Sequence, residues 1–374
     1  MLDGVHLTLL IGPPTVPMPA PPPVLEALQS VQVNAQRDRT GFQLTFALGK
    51  LSPLHLMLAA GLIDPIATRV VVIVTLRGIP NVICDGIVTQ QAVAPSNEPG
   101  QSTLTLTGDD LSVMMDLKQV RQTYQSMPDA AILQQILAGY AMYGIVPMVI
   151  PPLVDAPRNP TDGSISQTTT DLAFIRSLSQ NCGYTFYVEP GPAPLQSIAY
   201  FGPDVRLPIP QPALSVNSDW ATNVDSLSFS LNGLSKQTTV IKILDPIKHK
   251  EPIEIPLPSI DLLNPPLGAR VTPPARLRYG EDMTRLSAEA AAQRAFGLMR
   301  EGAMAVSGNG SLSVTRYGSI LRARMLVGVR GAGPAYDGMY YVETVTHNIK
   351  RGEYKQNFTL SRDGLISQTP VVML

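Results

Sequence analysis

Two stretches of this chain repeat one another, and a repeated stretch must find the same packing solution twice. Asp85-Gly86 opens a segment that reaches Gly100 and is followed by LTLTGDDL at Leu104 to Leu111. Asp337-Gly338 opens a second that reaches Gly352 and is followed by FTLSRDGL at Phe358 to Leu365. Gly86 to Gly100 and Gly338 to Gly352 are both 14 residues apart, and the segment that follows lies two residues further on in the second copy. A hairpin longer by one residue in each arm accounts for that offset without changing which side chains point inward. The alternation agrees as well: Leu104 and Leu106 match Phe358 and Leu360, while Thr103, Thr105 and Thr107 match Asn357, Thr359 and Ser361. Asp-Gly turns and alternating strands occur in many β proteins. Here spacing and faces coincide, which argues for a duplicated antiparallel β unit with one apolar and one wet face.

With 374 residues the chain has room for two or three cores, at roughly 100 to 200 residues per domain. Only 15% of residues are charged, against about 25% in ordinary soluble domains. The 35 prolines are about twice the usual share. Little charged surface and many stiff connections suit a protein covered by neighbours in an assembly; a proline-rich secreted domain has the same composition. A formal net charge of -1 and the lack of any lysine or arginine run give no electrostatic footprint for sequence-specific nucleic-acid binding. Cys84 and Cys182 are far apart, outside any CxxC or Cys/His cluster, and are expected to be buried thiols. Val5 to Ile11 is short, lacks preceding basic residues and runs into proline, unlike a secretion signal. Apolar runs such as Val70 to Leu76 are too short to span lipid. The expectation is assembly in the cytoplasm, without stable membrane insertion and without cofactor or metal.

Taken in order, Gly12 to Pro23 holds seven prolines and forms an extended arm. Val31 to Asn34 and Phe42 to Leu48 alternate as two strands, Ser52 to Ala60 is a short helix or buried loop, and Arg69 to Arg77 is a β-branched run deep in a sheet. Asn81 to Gln91 and Ser102 to Thr107 complete a first β-barrel or sandwich over 1–111. Ser126, ahead of Ile132, Leu133, Ile136, Leu137 and Tyr140, has capping-box spacing for an amphipathic helix. That helix opens a smaller α+β domain over 112–210. Val224 to Leu231 and Thr238 to Leu244, joined by an Asn232-Gly233 turn, begin a second barrel over 211–244 and 306–374. Asp245 to Ala275, with eight prolines, is an extended excursion, and Thr284 to Arg300 is a strong helix; together they make an insertion over 245–305. Ser307 to Ser311 is expected to be a glycine-rich turn.

Thr169 to Phe201 is the most ordered local signal. Thr170 is an N-cap and Asp171 suits the positive end of the helix dipole. Leu172, Ile175, Leu178 and Cys182 share one side of the helix, Phe174 stacks toward Leu178, and Gly183 ends it. The period then changes to two, with Tyr184, Phe186 and Val188 on one face and Thr185 and Tyr187 on the other. Asp171, Phe174, Ile175, Leu178, Gly183, Tyr184, Phe186 and Val188 together resemble the most recognisable segment of the phage late control protein D family, the central hub of contractile phage tails and related injection machines. The resemblance extends to the chain order: two similar antiparallel β-barrels of tail-tube type, the second split by an insertion, with an α+β domain between them. It implies a homotrimer whose six barrels adapt a hexameric inner tube to a trimeric spike, among other baseplate proteins, in a virion tail or injection particle. The chain stops soon after its last strand, so the spike is expected to be a separate chain.

Chemistry finds little support in the sequence. His6, His55, His249 and His347 are scattered outside any metal or nucleophile motif. Asp109 and Asp110 fit a helix cap, Glu251 and Glu254 lie in the proline-rich excursion, and Gly328, Gly331 and Gly333 lack the order of a dinucleotide fingerprint. A structural hub without catalysis is therefore favoured over a hub-associated cell-wall hydrolase and over a β-rich adhesin or carbohydrate-binding module, which 6% aromatic residues would serve poorly. No catalytic, cofactor or metal residues are assigned.

Overall fold

The computed structural model describes residues 4–368 apart from 51, 99, 153–164, 205–209, 245–251, 262–263, 285, 287 and 301. The first part of the chain carries β1 (Val5–Gly12), β2 (Met18–Pro19), β3 (Leu28–Ala35), β4 (Thr40–Ala47), β5 (Arg69–Leu76), β6 (Ile79–Ala94) and β7 (Thr103–Asp110), with short helices α1 (Pro22–Ala27) and α2 (Leu54–Ala59). The middle part carries β8 (Gln122–Tyr124), helix α3 (Asp129–Ala138), β9 (Ile145–Val149), β10 (Ile165–Gln167), helix α4 (Asp171–Cys182), β11 (Thr185–Pro190) and β12 (Ser197–Gly202). The last part carries β13 (Gln211–Ser215), β14 (Ser226–Leu231), β15 (Gln237–Leu244), β16 (Pro252–Pro258), β17 (Gly268–Val271), β18 (Arg276–Asp282), helix α5 (Ala288–Arg300), β19 (Val306–Ser313), helix α6 (Val314–Tyr317), β20 (Leu326–Arg330), β21 (Gly338–Lys350), β22 (Glu353–Arg362) and β23 (Gly364–Ser367).

The chain is mainly β, and its strands repeat in topology. In the first part the neighbours run β3-β4-β7-β6-β5-β1; in the last part they run β14-β19-β22-β21-β20-β13. Each strand of one series has its counterpart in the other, with one difference of direction: β1 is antiparallel to β5, whereas β13 is parallel to β20. The duplicated hairpins have the expected register. Val93 faces Leu104 in one and Val345 faces Phe358 in the other, so Leu104 and Leu106 occupy the places of Phe358 and Leu360. The two extra residues lie in the connecting hairpin. The first ladder ends at Ala94 opposite Thr103, before Pro95 removes a donor, and the second continues to Lys350 opposite Glu353.

Closure differs from expectation. Neither half closes into a barrel among the described residues; β3 pairs with β21 instead, and both halves merge into one open 13-stranded sheet. One apolar core accordingly runs through both, including Val31, Phe42, Leu44 and Phe46 from the first half and Val306, Tyr340, Val345 and Leu360 from the second. Burying each such side chain stabilises the fold by about 1.5–3 kcal/mol.

Four further expectations are corrected. Ser307 to Ser311 is no turn but the middle of β19, because Phe229 and Phe358 lie against Gly308 and Gly310 where a Cβ would come within 2.8 and 2.6 Å of their rings. β15 leaves the large sheet and pairs with β16 and β18; the Asn232-Gly233 bend therefore changes sheets and closes no hairpin. The proline-rich excursion is structured, supplying β16 to that small sheet, whose Ile241 and Met283 pack on Ala291 and Leu298 of α5. Finally α3 starts at Asp129 after Pro128, with no side-chain cap from Ser126, which bends the chain at φ 51°.

The middle part has its own core, with Leu172, Ile175, Leu178 and Cys182 of α4 packed on Phe186, Val188 and Phe201. The α4 ends follow their local chemistry. Thr170 Oγ1 accepts from the Ala173 N–H at 3.3 Å, and Gly183 takes a left-handed φ of 66°. Phe174 is buried and stacks on Tyr124 with centroids 5.9 Å apart.

Candidate assembly interface

The wet face of the large sheet is polar and carries mostly uncharged side chains. Ser226, Ser311, Asn357, Thr346 and Asn34 stand opposite one another in successive strands, and a neighbouring row runs Asn348, Gln32, Gln43, Thr107 and Gln90. Strand alternation puts these residues on the side opposite the core. They bond across strands: Ser226 and Ser230 hydroxyls lie 2.8 Å from those of Ser311 and Ser307, and Thr346 Oγ1 donates to Asn34 Oδ1 at 3.3 Å. The charges on this side are Asp109, opposite Gly41, Glu343, which accepts from the Ser361 hydroxyl at 2.6 Å, and a group at the tip of the second hairpin, where Lys350 faces Glu353 and Lys355 pairs with Glu353 at 2.7 Å.

A buried ion pair fastens the middle part to the first half. Arg69 of β5 holds Asp85 of β6 in a two-pronged contact, 2.7 Å on each arm, with both side chains inaccessible. The remaining donors of Arg69 reach the carbonyls of Pro14 in the proline-rich arm and Tyr143 in the middle part, both at 2.9 Å, and Ser197 of β12 donates to Asp85 at 3.1 Å. A planar guanidinium with several fixed donors is the side chain that can bind three segments at once. Sequence reasoning missed this role. Its signal was the repeated Asp85-Gly86, whose counterpart Asp337 instead accepts from the Ala332 N–H at 2.7 Å in a turn.

Where the middle part meets both halves there is a cleft of about 450 Å³. Arg324 lies 4.2 Å over the Tyr187 ring, 3.4 Å from Glu189, and donates to the Arg37 carbonyl at 3.1 Å. Asp204 is held by Arg37 at 3.2 Å and by the Tyr341 hydroxyl at 2.5 Å. These charges engage one another and brace the junction.

The candidate chemical residues are dispersed. His6 is exposed on β1 and His55 lies 3.2 Å from the Gly49 carbonyl. His347 is buried beside Tyr354 and Gln356, and burial lowers its pKa to about 3. Asp110 caps the turn Leu111–Met115 through the Ser112 N–H at 3.0 Å and also accepts from Thr40, while burial pushes its carboxyl above the usual range. Glu254 pairs with Lys242 at the surface, and His249 and Glu251 fall outside the described residues. Gly331 and Gly333 are turn glycines with φ of 85° and 92°, and Gly328 lies in β20. Cys84 and Cys182 are buried free thiols. Among the described residues no three His, Cys, Asp or Glu side chains gather as metal ligands, and no helix is long and apolar enough to cross a membrane.

No protein-family model matches this sequence, and no curated protein is similar to it in sequence. Solved structures share its architecture. The 43 kDa tail protein of prophage MuSo2 from Shewanella oneidensis superposes with a TM-score of 0.63 at 11% identity, over 96% of this chain and 99% of its own. The tail protein from Neisseria meningitidis MC58 superposes with a TM-score of 0.61 at 12% identity, over 96% and 98%. The fold is that of phage tail proteins. An Escherichia coli component of the type VI secretion system, described as similar to bacteriophage T4 tail proteins, shares this tail-protein fold at a TM-score of 0.53 and 12% identity, over 93% of this chain and 77% of its own. The first two superpositions take in nearly the whole length of both chains.

Proposed function

We propose that this protein is the structural hub of a contractile phage tail or injection-system baseplate, a homotrimer that adapts a six-fold inner tube to a three-fold spike, and that it carries no catalysis. The observation that carries this is the duplicated strand order joined through β3 and β21: one chain presents two like β units side by side, so three chains present six. Equal units can alternate around a ring and offer six similar contacts to a tube, whereas the middle and inserted parts occur once per chain and repeat only three times. The division that goes with this is a first β unit over 1–111, a middle α+β unit over 112–210, and a second β unit over 211–244 and 306–374 interrupted at 245–305. The largely Ser/Thr/Asn/Gln face would line the passage, where a wall with few fixed charges holds neither nucleic acid nor protein strongly. The spike and the tube are its principal partners, with assembly in the bacterial cytoplasm before the particle is complete.

Native mass spectrometry of the full chain at micromolar concentration tests the stoichiometry. Trimers are expected; a stable dimer would sink the proposal, because two chains cannot present six β units.

A further inference from the structure

Among the described residues the large sheet branches and has three ends. Two are marked by proline: β2, two residues within the proline-rich arm, and β13, which contains Pro212 and shifts register against β20, so missing donors discourage further pairing at both. The third is β14, Ser226–Leu231, six residues without proline, charge or a bulge against β19. Such an edge is a template for another strand. Its counterpart in the first half, β3, already has an occupant: Val345 to Lys350 of β21 pair with Ala35 to Ser30 in an unbroken antiparallel ladder. The counterpart of that occupant is vacant. β6 pairs with β5 only as far as Ile87, meets β7 alone from Gln90 onward, and is exposed from Ala92 to Glu98. Among the described residues one chain thus carries both an unpaired edge and a hairpin arm with no strand on its outer side, and the two are not joined to each other.

We propose that β14 of one copy adds, antiparallel, to the segment Val93 to Glu98 on the β6–β7 hairpin of a second copy. This joint presupposes the ring of three chains and supplies its contact between chains. The register follows from the repeat. Val31 reaches Leu106 through Leu44, as Phe229 reaches Leu360 through Gly308, so Val31 corresponds to Phe229 and Gln32 to Ser230. Val93 faces Leu104 as Val345 faces Phe358, so Ser96 corresponds to Asn348. Gln32 and Asn348 stand directly opposite each other; Ser230 of one copy therefore stands opposite Ser96 of the next. The contact joins two different surfaces, which generates a ring when the rotation closes. It is also the weaker joint, since Pro95 occupies the place of His347 and interrupts the hairpin arm that the joint within the chain uses in full.

The test is the full chain carrying Ser96→Cys and Ser230→Cys, oxidised mildly and run without reductant, with the buried native thiols left in place. Covalent trimer is expected as the main product of the double variant, and neither single variant should form it. A Gln32→Cys, Asn348→Cys chain should close an internal disulfide under the same conditions, which checks the chemistry. Independently, amide exchange at 226–231 and 93–98 should slow on trimer formation by tenfold or more. Trimers in native mass spectrometry that neither cross-link through this pair nor protect these amides would overturn the joint and leave the ring intact. A chain that never forms trimers would overturn both.

Discussion

In the first half of the large sheet, Phe42, Leu44 and Phe46 of β4 fill the space between β3 and β7; in the second half, β19 brings Val306, Gly308 and Gly310 to the same places. The missing volume returns from the neighbours, where Phe229 and Phe358 lie over the glycines. Each half is filled, by side chains that start from different strands. The aspartates diverge in the same manner. Asp85 binds Arg69 and fastens the middle part to the first half, while Asp337 supports a local turn. The two halves share their strand order and the facing of Leu104 and Phe358 in the hairpins, and the middle part gives one copy a task that the other does not have.

The largest contrast should come from the aspartates' surroundings. Arg69→Ala leaves Asp85 buried without its partner and is expected to cost about 3–5 kcal/mol, whereas Asp337→Ala removes a hydrogen bond from a turn and should cost about 1–2 kcal/mol. Urea unfolding of both variants measures the difference, and equal losses would mean that the ion pair is no more than local.

Next in size is the core exchange. Leu44→Ala is expected to destabilise by about 2–5 kcal/mol by leaving a cavity, and Gly308→Ala by about 1–3 kcal/mol by driving a methyl into Phe229. Truncation in one half and enlargement at its counterpart should thus both be harmful. If Gly308→Ala is neutral in thermal unfolding, the ring of Phe229 does not rest on that glycine.

The smallest contrast is in pH. His347, in the second half, stays neutral when folded because burial lowers its pKa from 6.5 to about 3, and Pro95 at its counterpart does not titrate. Between these values the unfolded chain takes a proton that the folded chain refuses, so stability is full above about 6.5 and falls as the pH drops toward about 3, by at most about 1.4 kcal/mol per pH unit. His347→Gln should flatten that dependence in unfolding measured from pH 7.5 to 4.5. Parallel profiles for the parent and the variant would show that His347 is protonated in the folded chain.

The sequence by itself determined whatever depends on near neighbours. Thr170, Asp171 and Gly183 bound α4 because caps and left-handed turns are satisfied within a few residues, and the period of two placed Leu104, Leu106, Phe358 and Leu360 inward. The scatter of His6, His55, His249 and His347 along the chain was equally visible. Only the tertiary structure decided how the strands were shared. Gly308 and Gly310 have the local character of a turn, and it takes two aromatic rings from other strands to make them a strand. β15 alternates like a sheet strand but does not say which sheet, and prolines mark Pro252–Pro258 as poor in donors without forbidding an edge position in the small sheet. The joint between β3 and β21 and the reach of Arg69 bring together residues remote in sequence. Backbone hydrogen bonds carry no residue identity and a buried charge takes whichever partners folding delivers, so periodicity and spacing cannot specify either one.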